Sequence, residues 1–175
     1  KEIGAADNFF PIVRELSTVD GKMVKVPLFL HIDGMVYWNM DVAKKAGVDD
    51  GIFLDESGNV GESSNMNVAF VTQDRVFRHP KFDRILSGCT SLRLLSLAPA
   101  LVHAGLVAGV EVGDIPAAAA RGAREMMLIG SSIKVASIVE WDGAPIGDGR
   151  PGPVAKALLG LLEEDMRTGR DRLID

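Results

Sequence analysis

Three short groups of polar residues have the types and spacing that chemistry needs. Glu62 follows a glycine-containing turn and precedes an apolar stretch that begins at Asn67. Gly88-Cys89-Thr90 stands before a stretch with helical spacing, and Gly130-Ser131-Ser132 stands after a short apolar run. A carboxylate such as that of Glu62 could stabilise the protonated form of a neighbouring basic group, because opposite charges favour ionisation.

The two glycine-containing groups suit a negatively charged ligand. The first turn of a helix offers free backbone N–H groups and the positive end of the helix dipole. Gly88 would allow an anion to approach closely, and Thr90 would add a hydroxyl; Ser131 and Ser132 would bring two more hydroxyls to a dianion. An ordinary helix start, an ordinary tight turn and a surface glutamate are the plain alternatives, and these residues alone leave them open.

Other reactive side chains carry weaker patterns. Cys89 is the only cysteine, so no internal disulfide forms, and this fits a reducing compartment. No histidine stands in a suggestive position beside it, which favours a packing or backbone role over a nucleophile. His31, His79 and His103 do not show the spacing of metal ligands.

The surrounding pattern indicates an α+β protein with a mixed or antiparallel sheet and a few helices. Short apolar runs predict strands, helical spacing predicts helices, and Asp142-Gly143 predicts a hairpin. Asp114 is predicted to cap the Ala-rich helix that follows it. The predicted strands are 24–32, 51–54, 67–71, 75–77, 107–112, 126–129 and 133–141, and the predicted helices are 36–46, 90–105, 114–124 and 154–168.

Composition adds only broad limits. The chain has 175 residues, 47% of them hydrophobic, which is enough for one domain with a sizeable core. Its 19 basic and 24 acidic residues give a net charge of −5, which disfavours nucleic acid as a partner. No uninterrupted apolar run has the length of a membrane span. The chain begins with Lys1 rather than Met, which suggests a fragment or a processed product.

Together the three groups resemble one family, the fold-type IV enzymes that use pyridoxal 5'-phosphate (PLP). The segments occur in the family's order and at about its spacing, and they cover roughly residues 43 to 165. The segment Leu-Ser-Gly-Cys-Thr at residues 86–90 is similar to the corresponding segment of plant D-amino-acid aminotransferase-like proteins. The segments that carry the resemblance are 54–62 with 67–71, 86–95 and 124–132.

The resemblance implies a role for each group in binding PLP. Glu62 would keep the pyridine nitrogen protonated. Gly88, Cys89 and Thr90 would hold one side of the cofactor's phosphate. The remaining residues implied by the resemblance, on the other side of the phosphate, are Ser131 and Ser132.

The family also uses a lysine that holds the cofactor as a Schiff base and moves the proton of the substrate's α-carbon. Counting back from Glu62 in the family's register reaches the neighbourhood of Phe29, where there is no lysine. Lys25 is the nearest candidate, a few residues early, in a stretch without the family's Asn-Tyr pair. An apolar strand would lower the pKa of such a lysine and activate it, while an ordinary lysine at a strand edge remains the alternative.

The resemblance implies a PLP-binding C-terminal domain over residues 41–175, after a divergent or partial N-terminal segment over 1–40. The implied reaction transfers an amino group between an amino acid and a 2-oxo acid, of the D-amino-acid or branched-chain type. A lyase similar to aminodeoxychorismate lyase is one alternative, and a non-catalytic relative without the lysine is another. The family also implies a homodimer. An intracellular location is expected, in a plastid or the cytoplasm, and the plastid rests on the plant-like segment at residues 86–90 alone.

Overall fold

The computed structural model describes residues 18–19, 22–23, 47 and 49–169. The chain divides into two compact units, Lys1–Tyr37 and Trp38–Asp175. In the first unit, strand β1 (Thr18–Val19) pairs antiparallel with strand β2 (Lys22–Met23). The predicted strand over 24–32, with Lys25, and the predicted helix over 36–46 lie outside the described residues.

The second unit is an α+β domain, and the predicted fold class is confirmed. Its strands are β3 (Ile52–Leu54), β4 (Val60–Ser63), β5 (Asn67–Val71), β6 (Val76–His79), β7 (Gly109–Val112), β8 (Glu125–Gly130), β9 (Lys134–Ile138), β10 (Glu140–Trp141) and β11 (Ala144–Pro145). Its helices are α1 (Cys89–Leu97), α2 (Pro99–His103), α3 (Ala117–Arg121) and α4 (Pro153–Thr168).

The main sheet has five strands in the order β7-β6-β5-β8-β9. Only the β6–β7 pair is parallel among these strands. A parallel pair needs a crossover connection, and here α1 and α2 lie between the two strands in the chain. Two smaller antiparallel pairs, β3–β4 and β10–β11, complete the described part of the second unit.

The central strand β5 is buried along its whole length because both faces of the sheet are covered. Ala69 and Val71 pack into the core beneath α1, α2 and α4. Val68 and Phe70 point to the opposite face and pack with residues around α3, such as Ile115. This two-sided burial explains why β5 appears in the sequence as a continuous apolar run rather than as an alternating strand.

The structure divides one predicted helix, shortens one predicted strand and contains one predicted hairpin. The helix expected over 90–105 is two helices, because Pro99 has no N–H to continue α1 and begins α2 instead. The strand expected over 133–141 ends at Ile138 and resumes as β10. The hairpin at Asp142-Gly143 is confirmed: both residues have positive φ, 49° and 77°.

Asp114 does not cap α3, contrary to the prediction. The backbone after it stays extended, because Val60 donates to the carbonyl of Ile115 at 2.8 Å and Ala117 donates to the carbonyl of Gly58 at 3.0 Å. Helix α3 therefore begins only at Ala117. The carboxylate of Asp114 instead pairs with Lys81, with 2.6 Å between Oδ2 and Nζ.

Candidate cofactor site

One end of the main sheet gathers the polar groups that the sequence suggested. Strand β5 begins there with Asn67, and strand β8 ends there at Gly130, because Asn67 is the pairing partner of Ile129. Gly130 also packs closely on the preceding chain: a methyl group added to it would lie 2.9 Å from Cγ of Met66. The exposed turn with Ser131 and Ser132 follows directly at this end of the sheet.

The start of helix α1 is held at the same place by Asn67. The Nδ2 of Asn67 donates a hydrogen bond to the carbonyl of Leu86 at 2.9 Å. A methyl group added to Gly88 would lie only 2.3 Å from Oδ1 of Asn67. Gly88 is therefore needed for packing, because any Cβ would collide with a side chain that is itself 4% exposed.

Glu62 in strand β4 belongs to the same cluster. Its Oε2 accepts hydrogen bonds from Nδ2 of Asn67 and from the backbone N–H of Leu86, each at 3.2 Å. Among the described residues, both of its hydrogen bonds are made by Oε2 and none by Oε1. Burial raises the pKa of the Glu62 carboxyl above its ordinary value, and the N–H of Leu86 partly opposes this effect. A cation beside the carboxylate would restore its ionised form.

Helix α1 begins in a way that suits an anion. Gly88 is its N-cap, with extended backbone at φ −60° and ψ 129°, so no cap side chain accepts from the first N–H groups. The first turn has no acidic residue. Ser91 in that turn is 1% exposed, and its hydroxyl has no hydrogen-bond partner among the described residues. Thr90 is half-buried and Cys89 is exposed.

These features fit the phosphate and ring of PLP. Unpaired helix amides and a buried hydroxyl with no described partner are donors that a dianion can use. A half-buried carboxylate with one oxygen held by the fold fits a protonated ring nitrogen. Within the described residues, no cluster of three or more His, Cys, Asp or Glu side chains could hold a metal ion.

Sequence reasoning used Asn67 only as part of a pattern and missed its place at the centre of the cluster. The available signal was a single amide at the head of an otherwise apolar strand, where a buried polar side chain requires partners. Its partner Leu86 lies 19 residues away in the chain, so spacing could not identify it. Ser91 was missed too, because it stands one residue beyond the predicted group. Lys25 lies outside the described residues.

The amino-acid sequence also matches a known protein family. The family model described as Amino-transferase class IV matches residues 31–141, which is more than half of the chain. The chain belongs to the class IV aminotransferase family. The resemblance predicted from the sequence groups is thereby confirmed.

Individual aminotransferases are similar over most of this chain. The chloroplastic D-amino-acid transaminase of Arabidopsis thaliana is 46% identical over 128 residues, which are 73% of this chain and 34% of that protein. The solved branched-chain amino acid aminotransferase from Escherichia coli has 26% identity and a TM-score of 0.64, covering 77% of this chain and 44% of that one.

A second solved relative was crystallised with its cofactor. The branched-chain amino acid aminotransferase from Thermobaculum terrenum, in its PLP-form, gives 26% identity and a TM-score of 0.62 over 71% of this chain and 39% of that chain. The chain thus spans between a third and a half of the length of these relatives.

Proposed function

We propose that this chain forms the PLP-binding part of an enzyme that transfers an amino group between an amino acid and a 2-oxo acid. The observation that carries the proposal is the cluster at one end of the sheet, where Asn67 joins the carboxylate of Glu62 to the start of α1. A carboxylate and a helix start are the two groups that a protonated ring and a phosphate require. Membership of the class IV aminotransferase family supports the same interpretation.

Glu62 would hold the proton on the pyridine nitrogen of the cofactor. Its Oε2 is already engaged by Asn67 and Leu86, so Oε1 would face the ring. When bound, PLP supplies an electron sink for bond changes at the substrate's α-carbon. The positive charge of the ring would in turn lower the pKa of Glu62, which burial alone raises.

The phosphate would bind at the start of α1. The backbone N–H groups of Cys89 and Thr90 would donate to one side, and the hydroxyls of Ser131 and Ser132 would donate to the other. Gly88 would let the phosphate approach closely, since its own N–H already donates to the carbonyl of Leu86 at 2.9 Å. Helix starts bind phosphates in this manner because their N–H groups lack partners within the helix. Lys25 is proposed as the lysine that holds the cofactor and moves the α-proton.

Substrate type, assembly and location follow from the relatives as further parts of the proposal. The similar proteins carry the names D-amino-acid transaminase and branched-chain aminotransferase, so D-amino acids and branched-chain amino acids are the substrates to test first. The name of the plant relative includes the word chloroplastic, which favours a plastid over the cytoplasm. A homodimer is proposed by resemblance to the family. No helix of the described residues is long and apolar enough to cross a membrane.

A titration with PLP tests the proposal. We expect the purified chain to bind PLP, and we expect Glu62→Ala to bind it roughly ten times more weakly or worse, because a hydrogen bond between charged groups is lost. Glu56→Ala is a matched control, since Glu56 is an exposed glutamate in the nearby turn between β3 and β4. Absorbance of the bound cofactor and equilibrium dialysis report the affinity.

Assays with D-alanine, L-leucine and 2-oxoglutarate then test amino transfer, with Lys25→Ala as the comparison. Transfer that is lost in Lys25→Ala supports the proposed lysine, and unchanged transfer refutes it. Tight PLP binding without any amino transfer would favour the non-catalytic relative. Absence of PLP binding by the wild-type chain would refute the proposed cofactor site.

A further inference from the structure

We propose that Asn67 is a positioning residue that fixes the carboxylate of Glu62 and the start of α1 at one separation, and thereby sets the affinity for the cofactor. The inference rests on the proposed function, because it concerns the same site. Asn67 touches both halves of that site and sits in neither of the groups that would contact PLP. Its position at the head of the buried strand β5 anchors it to the sheet.

The hydrogen-bond pattern requires an amide with its nitrogen toward Glu62. Nδ2 has two protons, and it donates one to Oε2 of Glu62 at 3.2 Å and one to the carbonyl of Leu86 at 2.9 Å. A flipped amide would put Oδ1 against both of these oxygen acceptors, which is unfavourable. The orientation of the side chain is therefore determined by its partners.

The loop before α1 closes the arrangement. The N–H of Leu86 donates to the same Oε2 of Glu62 at 3.2 Å while its carbonyl accepts from Asn67. The backbone of Leu86, two residues before Gly88, is thus held by the side chains of both Glu62 and Asn67. A shift of the carboxylate would move this loop, and a shift of the loop would move the first N–H groups of α1. The distance between the proposed ring site and phosphate site is consequently a property of this network.

Gly88 supplies the complementary half of the contact. The oxygen of Asn67 lies where a methyl group on residue 88 would be, with only 2.3 Å between the two positions. The Asn67 amide therefore fixes the helix start by hydrogen bonds on one side and by direct packing on the other. Shortening residue 67 should free the loop, and enlarging residue 88 should push it away.

The test compares two probes that need different parts of the site. Pyridoxamine 5'-phosphate needs the ring site and the phosphate site at the correct separation and does not depend on the lysine, whereas inorganic phosphate needs only the phosphate site. We expect Asn67→Ala to weaken pyridoxamine phosphate binding by roughly tenfold to a hundredfold, and inorganic phosphate binding by less than about threefold. Calorimetry or NMR titration of the full chain measures both affinities.

Asn67→Asp is the second variant, because it keeps the volume of the side chain while replacing the donor by a carboxylate. A like charge beside Glu62 should raise the pKa of Glu62 further, and so should loss of the donor in Asn67→Ala. Carboxyl-carbon NMR of the chain without ligand measures that pKa directly. Thr72→Ala is the matched control: Thr72 follows the other end of β5, and its hydroxyl hydrogen-bonds at 3.2 Å to the carbonyl of Val76.

A double-mutant cycle examines the packing half. Gly88→Ala should weaken pyridoxamine phosphate binding in the wild-type background and much less in Asn67→Ala, where the colliding side chain is absent. Gly109→Ala serves as its control, because a methyl group there meets nothing within 4 Å.

The outcomes separate this inference from the proposed function. Three results together support the positioning role. Both variants at residue 67 bind pyridoxamine phosphate more weakly, the pKa of Glu62 rises in them, and Thr72→Ala changes neither the affinity nor that pKa. If the wild-type chain binds pyridoxamine phosphate and Asn67→Ala binds it within about twofold of the wild-type affinity, the positioning role alone is overturned. Equal losses for both probes would also overturn it, since Asn67 would then affect only the helix start. If the wild-type chain binds neither probe, the proposed site falls and this inference falls with it.

Discussion

Two helices of this domain begin on the main sheet, and the fold treats their starts in opposite ways. At the start of α4, the carboxylate of Glu125 accepts from the backbone N–H of Val154 at 3.0 Å and of Ala155 at 2.9 Å. At the start of α1, no side chain of the described residues accepts from the first N–H groups. The same polar feature of a helix is therefore neutralised within the fold at α4 and remains available at α1.

The two starts lie at opposite ends of the β5–β8 pair, because Asn67 pairs with Ile129 at one end and Val71 pairs with Glu125 at the other. Glu125 is the first residue of β8, and Gly130 is the last. Gly152, the N-cap of α4, packs so tightly on Glu125 that an added methyl group would lie 2.0 Å from its Cδ. Gly88 makes the corresponding contact at α1, but against Asn67, whose amide holds the loop and leaves the helix amides uncapped. A buried carboxylate stabilises the fold, whereas a neutral amide beside the helix leaves room for an anion.

The largest expected effect comes from removing the carboxylate at α4. Glu125→Ala leaves two buried N–H groups without acceptors and opens space beside Gly152, so we expect a loss of about 2–4 kcal/mol in the free energy of unfolding. Urea denaturation monitored by circular dichroism measures it. Glu56→Ala is the control, because Glu56 is exposed in the turn between β3 and β4.

The affinity for PLP tests the comparison itself. Since Glu125 serves the α4 start, the folded fraction of Glu125→Ala should bind PLP as the wild type does. A stability change below about 0.5 kcal/mol would show that solvent replaces the carboxylate and that the two starts differ less than the contacts indicate.

The sequence predicted the strands of this comparison better than their connections. Apolar runs located β5 at its observed bounds and β8 to within one residue at each end, because burial on both faces leaves a clear pattern. The role of Glu125 could not be predicted, since its partners lie 29 and 30 residues later. Asp114 was predicted as a cap for a local reason, its position before an Ala-rich stretch, but long-range backbone pairing of the following residues prevailed.

The candidate site shows the same division. Gly88, Thr90 and Glu62 could be selected from residue types and resemblance, because each stands beside a recognisable turn or helix signal. The bonds that bring them together run through Asn67 and the backbone of Leu86, and no periodicity reports those contacts. Local turn and helix signals therefore selected the residues of the candidate site, whereas the contacts between distant segments that join them could not be predicted.

The stability of the domain should depend on pH through the α1 side, because the loop that leads into α1 begins beside a buried histidine. His79 is 0% exposed, its Nδ1 is 2.7 Å from the carbonyl oxygen of Pro80, and its Nε2 has no partner among the described residues. Burial lowers the pKa of His79 below the ordinary value of 6.5. Below pH 6.5, His79 therefore binds a proton in the unfolded chain but not yet in the folded chain. The free energy of unfolding consequently falls as the pH drops toward the folded-state pKa.

We expect His79→Leu to cost about 1 kcal/mol near neutral pH, from the lost hydrogen bond, and to flatten the fall in stability below pH 6.5. Urea denaturation at a series of pH values measures both. His103→Gln is the matched control, because the exposed His103 makes a similar contact at 2.8 Å with the carbonyl of Pro99. An unchanged pH profile in His79→Leu would mean that other groups produce the acid sensitivity.

The smallest expected effect is a gain in the free energy of unfolding. It tests whether the helix propensity of α4 matters independently of the contacts at the start of α4. Gly160 lies in the interior of α4 on its exposed side, and a methyl group there meets nothing within 4 Å. Gly160→Ala should raise the free energy of unfolding by about 0.5–1 kcal/mol, because alanine loses less backbone freedom than glycine on entering a helix. Thermal unfolding should shift upward by about 1–4 °C. PLP affinity should stay the same, since the start of α4 remains held by Glu125 and the start of α1 is untouched. A change in affinity without a change at either start would show that the two helices are coupled through the core, and the contrast between their starts would then not be local.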